Sequence, residues 1–142
     1  MTIESIEGMI LQAVRLSDSR WRLSLITREQ GRLTAWYRAG ARAKAHNCLA
    51  PFMPLSLALT LKRQWYQVKA IERNKGILYP LKDEALLSGW YLNELLMYLL
   101  LEGEANLPLY NAYTTTLQTL SQGVDRLALE ISLRQFEWQL LN

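Results

Sequence analysis

Cysteine and histidine each occur once in these 142 residues, as Cys48 and His46. One cysteine excludes a disulfide framework and a four-cysteine zinc site within the chain. One histidine excludes a dyad of histidines and a histidine-rich metal cluster. Cys48 and His46 lie almost side by side among small residues, with no third group to orient them, which is a poor setting for a nucleophile and its base. The chain has no glycine-rich phosphate loop ending in Lys-Ser/Thr and no GxGxxG turn. Glu102 and Glu104 fall where a helix should end, so they are expected to face solvent rather than work as an acid–base pair. No apolar run nears the ~20 residues that span a bilayer. The start, MTIESIEGM, lacks the basic and apolar regions of a signal peptide. These absences predict a cytoplasmic protein with no membrane association, no catalytic residues, no metal and no cofactor.

Charge is present, and unevenly placed. Residues 1–80 carry thirteen Lys and Arg against five Asp and Glu, a net +8, whereas residues 81–142 carry three against eight, a net −5. A basic half joined to an acidic half predicts a polyanion-binding module on a separate support, with a boundary at Pro80. The domains expected are a basic barrel over residues 1–80 and an acidic helical unit over residues 81–142.

The hydrophobic period changes at that boundary. A first strand is expected from Glu7 to Leu16. In RWRLSLITREQG, Trp21, Leu23 and Leu25 alternate with Arg22 and Ser24. A turn at Glu29-Gln30-Gly31 leads to RLTAWYR, with Leu33, Ala35 and Tyr37 on one face and Arg32, Thr34, Trp36 and Arg38 on the other. PLSLALTLK alternates Leu55, Leu57, Leu59 and Leu61 with polar or small residues, and Lys62-Arg63-Gln64 turns into WYQVKAIE. Five short strands with turns between them suit a small closed barrel. Beyond Pro80 a helix over Ala85–Leu101 is apolar on most faces and is expected to be the buried centre of the second half. A second helix over Leu107–Ser121 steps through Tyr110, Tyr113, Leu117 and Leu120, and a third carries Leu127, Ile131, Arg134, Trp138 and Leu141. Trp21, Trp65 and Tyr37 are expected in the core, and packing is also the expectation for Tyr91, Tyr98, Tyr110 and Tyr113.

The stretch GRLTAWYRAGARAKAH, residues 31–46, joins a strand with two aromatics to small residues in which Arg38, Arg42 and Lys44 recur. Guanidinium groups bind phosphate bidentately, and small residues let a nucleic-acid backbone approach closely. Trp36 shares its strand face with Arg32 and Arg38, so it either stacks bases or packs beneath the helical half. The local pattern leaves both open. Arg20, Arg22, Lys62 and Arg63 join the candidate set from their strand positions. His46 adds charge near neutral pH if a phosphate raises its pKa.

The early EGMIL strand, LITREQGRLTAWYRAGARAK, LAPFMPLSLAL, YLNELLMYLLLEGE and LRQFEWQLL resemble, in order and content, the bacterial recombination mediator RecO family. The resemblance runs from about residue 7 to residue 141 and rests on the combination of motifs. It implies an amino-terminal five-stranded OB-fold barrel followed by an α-helical domain of about three helices. It also implies non-enzymatic binding of single- and double-stranded DNA, strand annealing and recombinase loading in recombinational repair, at the nucleoid. RecR and single-stranded-DNA-binding protein are the implied protein partners. By matching position, Arg38, Arg42 and Lys44 fall in the family's basic loop, and Arg32 in its turn motif. Members of the family are expected to continue beyond the equivalent of Asn142, with more helices and in some a cysteine zinc site. The competing expectation is an OB-fold adaptor, monomeric or dimeric, that binds proteins and not DNA.

Overall fold

Period-two alternation leaves each strand one apolar face, and five such faces are buried at once only if the sheet closes on itself. The computed structural model describes residues 2–38, 49–74 and 79–142. Its strands are β1 (Thr2–Arg15), β2 (Arg20–Thr27), β3 (Gly31–Arg38), β4 (Leu55–Lys62) and β5 (Trp65–Arg73). They form a closed barrel in the order β1-β2-β3-β5-β4, an OB-fold barrel. Closure is made by a parallel contact in which Ala35 faces Tyr66 and Trp36 faces Gln67. Leu23, Leu25, Ala35, Leu55 and Leu59 are fully buried inside, each larger side chain contributing about 1.5–3 kcal/mol of transfer free energy.

β1 starts at Thr2 rather than at the expected Glu7 and ends at Arg15. It serves two neighbours, pairing with β4 through Thr2–Gly8 and with β2 through Gly8–Arg15. Irregularities between Ile3 and Ile6 and between Ile10 and Gln12, with Ser5 at φ 56°, break its alternation. An interrupted period hides a long strand from a pattern search.

Three helices follow: α1 (Asp83–Leu99), α2 (Leu107–Ser121) and α3 (Arg126–Leu141). Asp83 and Glu84 occupy the first turn of α1, where the helix dipole favours acids. The Asn106 side chain caps α2 by accepting from the Leu109 N–H, and Asp125 caps α3 by accepting from Ala128. Among the described residues no helix is long and apolar enough to cross a membrane.

Two helical expectations are corrected. α1 is not the buried centre, since Leu87 is 70% and Tyr98 79% exposed, and only Ser88, Gly89, Leu92, Asn93 and Leu96 are buried along it. The centre is α2, whose Tyr113 and Leu117 are fully buried. On α3 the stripe of Leu127, Ile131, Trp138 and Leu141 is exposed, while Leu129, Leu133 and Phe136 face the core. A helix apolar on several sides offers more than one three-four stripe, and the neighbours choose among them.

The helices pack on the outside of the barrel. Met9, Leu11, Ile26 and Phe52 share a core with Leu92, Leu96, Tyr113 and Phe136. Asn93 donates through Nδ2 to the Leu11 carbonyl at 3.2 Å and accepts from the buried Tyr113 hydroxyl. A second junction lies where β3 begins. Arg32 pairs with Glu102 in an isolated parallel bridge, and the Gly103 N–H donates to the Arg32 carbonyl at 2.8 Å. Gly31, at φ 72°, lies so close that a Cβ there would stand 2.2 Å from the Glu104 carbonyl oxygen.

Candidate nucleic-acid interface

Cross-strand register determines which side chains share the outer barrel surface. Arg20 stands opposite Arg38, and Arg22 opposite Trp36, across β2 and β3. The parallel closure sets Trp36 beside Gln67, and the β4–β5 hairpin sets Lys62 beside Trp65. Lys62 and Trp65 thereby border the same cavity as Trp36, Tyr37 and Arg38, while Arg63 lies in the β4–β5 turn between them in sequence. Arg63 takes φ 57°, a left-handed conformation unusual for a residue with a Cβ. Four exposed cations far apart in sequence (Arg20, Arg22, Arg38 and Lys62) thus share one face, and Arg63, also exposed, is in the turn that follows Lys62.

A cavity of about 270 Å³ opens in this face, with Arg20, Arg38 and Lys62 at its edge and Trp36, Trp65 and Gln67 among its walls. Among the described residues no acidic one lines it. Trp36 and Trp65 meet edge to face, with ring centroids 5.5 Å apart and planes at 73°. At the margin, the Arg15 guanidinium lies 5.8 Å from the Trp21 ring centroid. Among the described residues none of Arg20, Arg22, Arg38, Lys62 and Arg63 forms an ion pair.

The candidates divide. Arg20, Arg22, Trp36, Arg38 and Lys62 share this face, and Arg63 is exposed in the β4–β5 turn but is not among the residues lining the cavity. Arg32 is not among them, because it sits at the other end of β3. There its Nε donates to the Leu100 carbonyl at 3.0 Å and its guanidinium lies 4.0 Å from the Glu102 carboxylate, with the side chain only 18% exposed. Arg42 and Lys44, with His46 and Cys48, lie outside the described residues. Trp65, expected in the core, is 38% exposed and forms a wall of the cavity. Sequence reasoning missed Gln67 altogether, since nothing in WYQVKAIE marks the glutamine until the parallel closure is known. Trp21 and Tyr37 pack partly buried against the barrel core.

Titration perturbed by the fold lies elsewhere. Burial pushes the Tyr113 and Tyr110 hydroxyls far up, so both stay protonated. On the helices the Tyr91 hydroxyl, hydrogen-bonded to Glu137, holds that carboxyl below its usual range, and Arg134 acts in the same direction.

Residues 1–76 match the family described as Recombination protein O N terminal, and residues 84–142 match Recombination protein O C terminal. Among similar proteins, the DNA repair protein RecO of Legionella pneumophila (strain Paris) is 33% identical over 141 residues, covering 99% of this chain and 61% of the relative. The DNA repair protein RecO of Polaromonas sp. (strain JS666) is 37% identical over 135 residues, covering 93% of this chain and 53% of that protein. That of Pseudomonas entomophila (strain L48) is 44% identical over 114 residues, covering 80% and 48%. The chain therefore spans about three fifths or less of the curated relatives it matches. With both family regions matched in order along a barrel and three helices, this chain belongs to the Recombination protein O family.

Proposed function

We propose that this chain is a non-enzymatic DNA-binding protein of recombinational repair, holding single and double strands by their phosphates and promoting annealing and recombinase loading. The observation that carries the reading is the grouping of Arg20, Arg22, Arg38 and Lys62 on one barrel face, around a cavity with no acidic lining among the described residues. Uncompensated guanidinium and ammonium groups on one surface attract a polyanion over several ångströms and release its counterions on contact. Arg42 and Lys44, which follow Arg38 closely in the chain, stay candidates through their match to the family's basic loop. Annealing needs no covalent step, because screening two strands and holding their bases loosely raises the rate of productive encounter. In this reading residues 1–80 bind DNA and residues 81–142 support the barrel and meet protein partners, of which RecR and single-stranded-DNA-binding protein are the family-derived candidates.

The test sets local charge against global charge. Replacing Arg38 and Lys62 by alanine should weaken binding of a labelled oligonucleotide in fluorescence anisotropy. Replacing Lys82 and Arg126, which removes the same charge elsewhere, should leave it unchanged. Equal losses from the two pairs would overturn the assignment of this face.

The second reading, a protein-binding adaptor, draws on the helices. Tyr98, Leu99 and Leu101 are all more than half exposed at the end of α1, and monomers rarely leave apolar surface contiguous and uncovered. Dimers in light scattering together with no DNA binding would favour it.

A further inference from the structure

The cavity on the basic face has features that phosphate binding does not require. Its walls include two indoles set edge to face at 73°, which form a corner where a flat ring can lie against one while its rim meets the other. A second cavity of about 260 Å³ shares Arg20, Trp36 and Trp65 with the first, so the tryptophan pair has open space on two sides. Both volumes fall just below the ~300–1,000 Å³ of sites for drug-sized ligands, a size that suits a single heterocycle. Gln67 lines this cavity, and its Oε1, buried beneath the surface, has no hydrogen-bond partner among the described residues, so the amide gains one by turning outward toward a ligand. A buried acceptor left open is costly, and a primary amide can exchange a donor and an acceptor with the edge of a base.

We propose that this cavity is a pocket for one unpaired nucleobase, stacked on the Trp36–Trp65 corner and paired along its edge with the Gln67 amide. Arg20, Arg38 and Lys62 at the rim hold the phosphates on either side. The inference rests on the reading of this face as a DNA surface and adds a selection to it. A base inside a continuous duplex is stacked and paired and cannot enter. A base in a single strand, a gap or a frayed end can enter at little cost. The face therefore prefers DNA with at least one free base, which places the protein on strands awaiting a complement.

The experiment compares three labelled 30-mers of equal backbone charge per strand: oligo(dT), the same length of abasic backbone, and a blunt duplex. Affinities come from anisotropy, and quenching of tryptophan fluorescence is followed in parallel. Oligo(dT) should bind the full chain more tightly than the abasic strand by about 5- to 150-fold, the span that stacking of one base supplies. It should also quench tryptophan fluorescence, which the abasic strand should not. Trp65→Leu, at an exposed position, and Gln67→Leu should each reduce the preference for oligo(dT) while leaving abasic binding intact. Equal affinity for oligo(dT) and the abasic strand in the wild-type chain would overturn the pocket and leave the phosphate-binding surface standing. Absence of binding to all three would overturn the DNA surface itself. The wild-type comparison decides the matter even if a variant fails to fold.

Discussion

Arg32 reaches from β3 to the carbonyl of Leu100, with its Nε 3.0 Å from that oxygen and its guanidinium beside Glu102. The same strand ends in Arg38, which is exposed on the basic face. Two arginines of one strand face thus differ in setting: one fastens the helices to the barrel, and the other is exposed with no ion pair among the described residues.

Arg32→Ala should therefore act on stability. Losing a charged donor to a part-buried carbonyl, with the ion pair beside it, is expected to cost about 1–3 kcal/mol in urea unfolding. The salt dependence of DNA binding should stay as in the parent chain. A stable Arg32→Ala protein with a lower salt slope would place this side chain on the DNA surface instead.

Gly31 has no room for a side chain. A Cβ would stand 2.2 Å from the Glu104 carbonyl oxygen, and the positive φ adds about 1–2 kcal/mol for any residue that has one. Gly31→Ala should lower the unfolding free energy by more than about 2 kcal/mol. A loss below about 0.5 kcal/mol, the range of neutral surface changes, would mean that the Glu102–Ala105 segment moves away freely.

Tyr113 and Asn93 form the buried polar tie between α2, α1 and β1. Tyr113→Phe keeps the ring and leaves the Asn93 Oδ1 buried without its donor, so a loss of about 1–3 kcal/mol is expected. Asn93→Leu together with Tyr113→Phe should recover part of it. A double variant worse than the sum of the singles would show that the network does more than satisfy itself.

Glu137 gives the helices a modest pH dependence. Tyr91 and Arg134 hold its two oxygens, and its folded pKa lies below the ordinary 4.5. A depressed folded pKa means that the unfolded chain binds its proton first as pH falls. Its stabilising contribution is thus present above pH 4.5 and is lost as pH drops through the lower folded value. Tyr91→Phe should reduce the urea midpoint at pH 7, and the gap from the parent should narrow at pH 3. A gap that stays constant or widens would contradict the sign.

The barrel and α2 were legible in the sequence because their patterns are regular. Leu55, Leu57 and Leu59 alternate without a break, and Tyr110, Tyr113, Leu117 and Leu120 hold one helical stripe. β1 was half legible, since its irregularities conceal the segment before Glu7. α1 and α3 misled through surplus: Leu87, Tyr98, Leu127 and Trp138 are apolar yet exposed, and composition alone cannot say which stripe finds a neighbour. At the site, the charges were visible one by one, but their grouping depends on the β3–β5 closure. That contact places Trp36 beside Gln67 and draws Trp65 out of the expected core. Arg32 looked like its neighbours Trp36 and Arg38 because period two assigns a face and not a position along it.

The most direct measurement is the affinity of the full chain for a labelled ~30-nucleotide single strand at four or more salt concentrations. With up to four exposed cations on the face, log K should fall linearly with log salt at a slope reaching about −2.8, or ~0.7 per phosphate neutralised. A slope near zero, or no binding at the lowest salt, would contradict a DNA surface on this barrel.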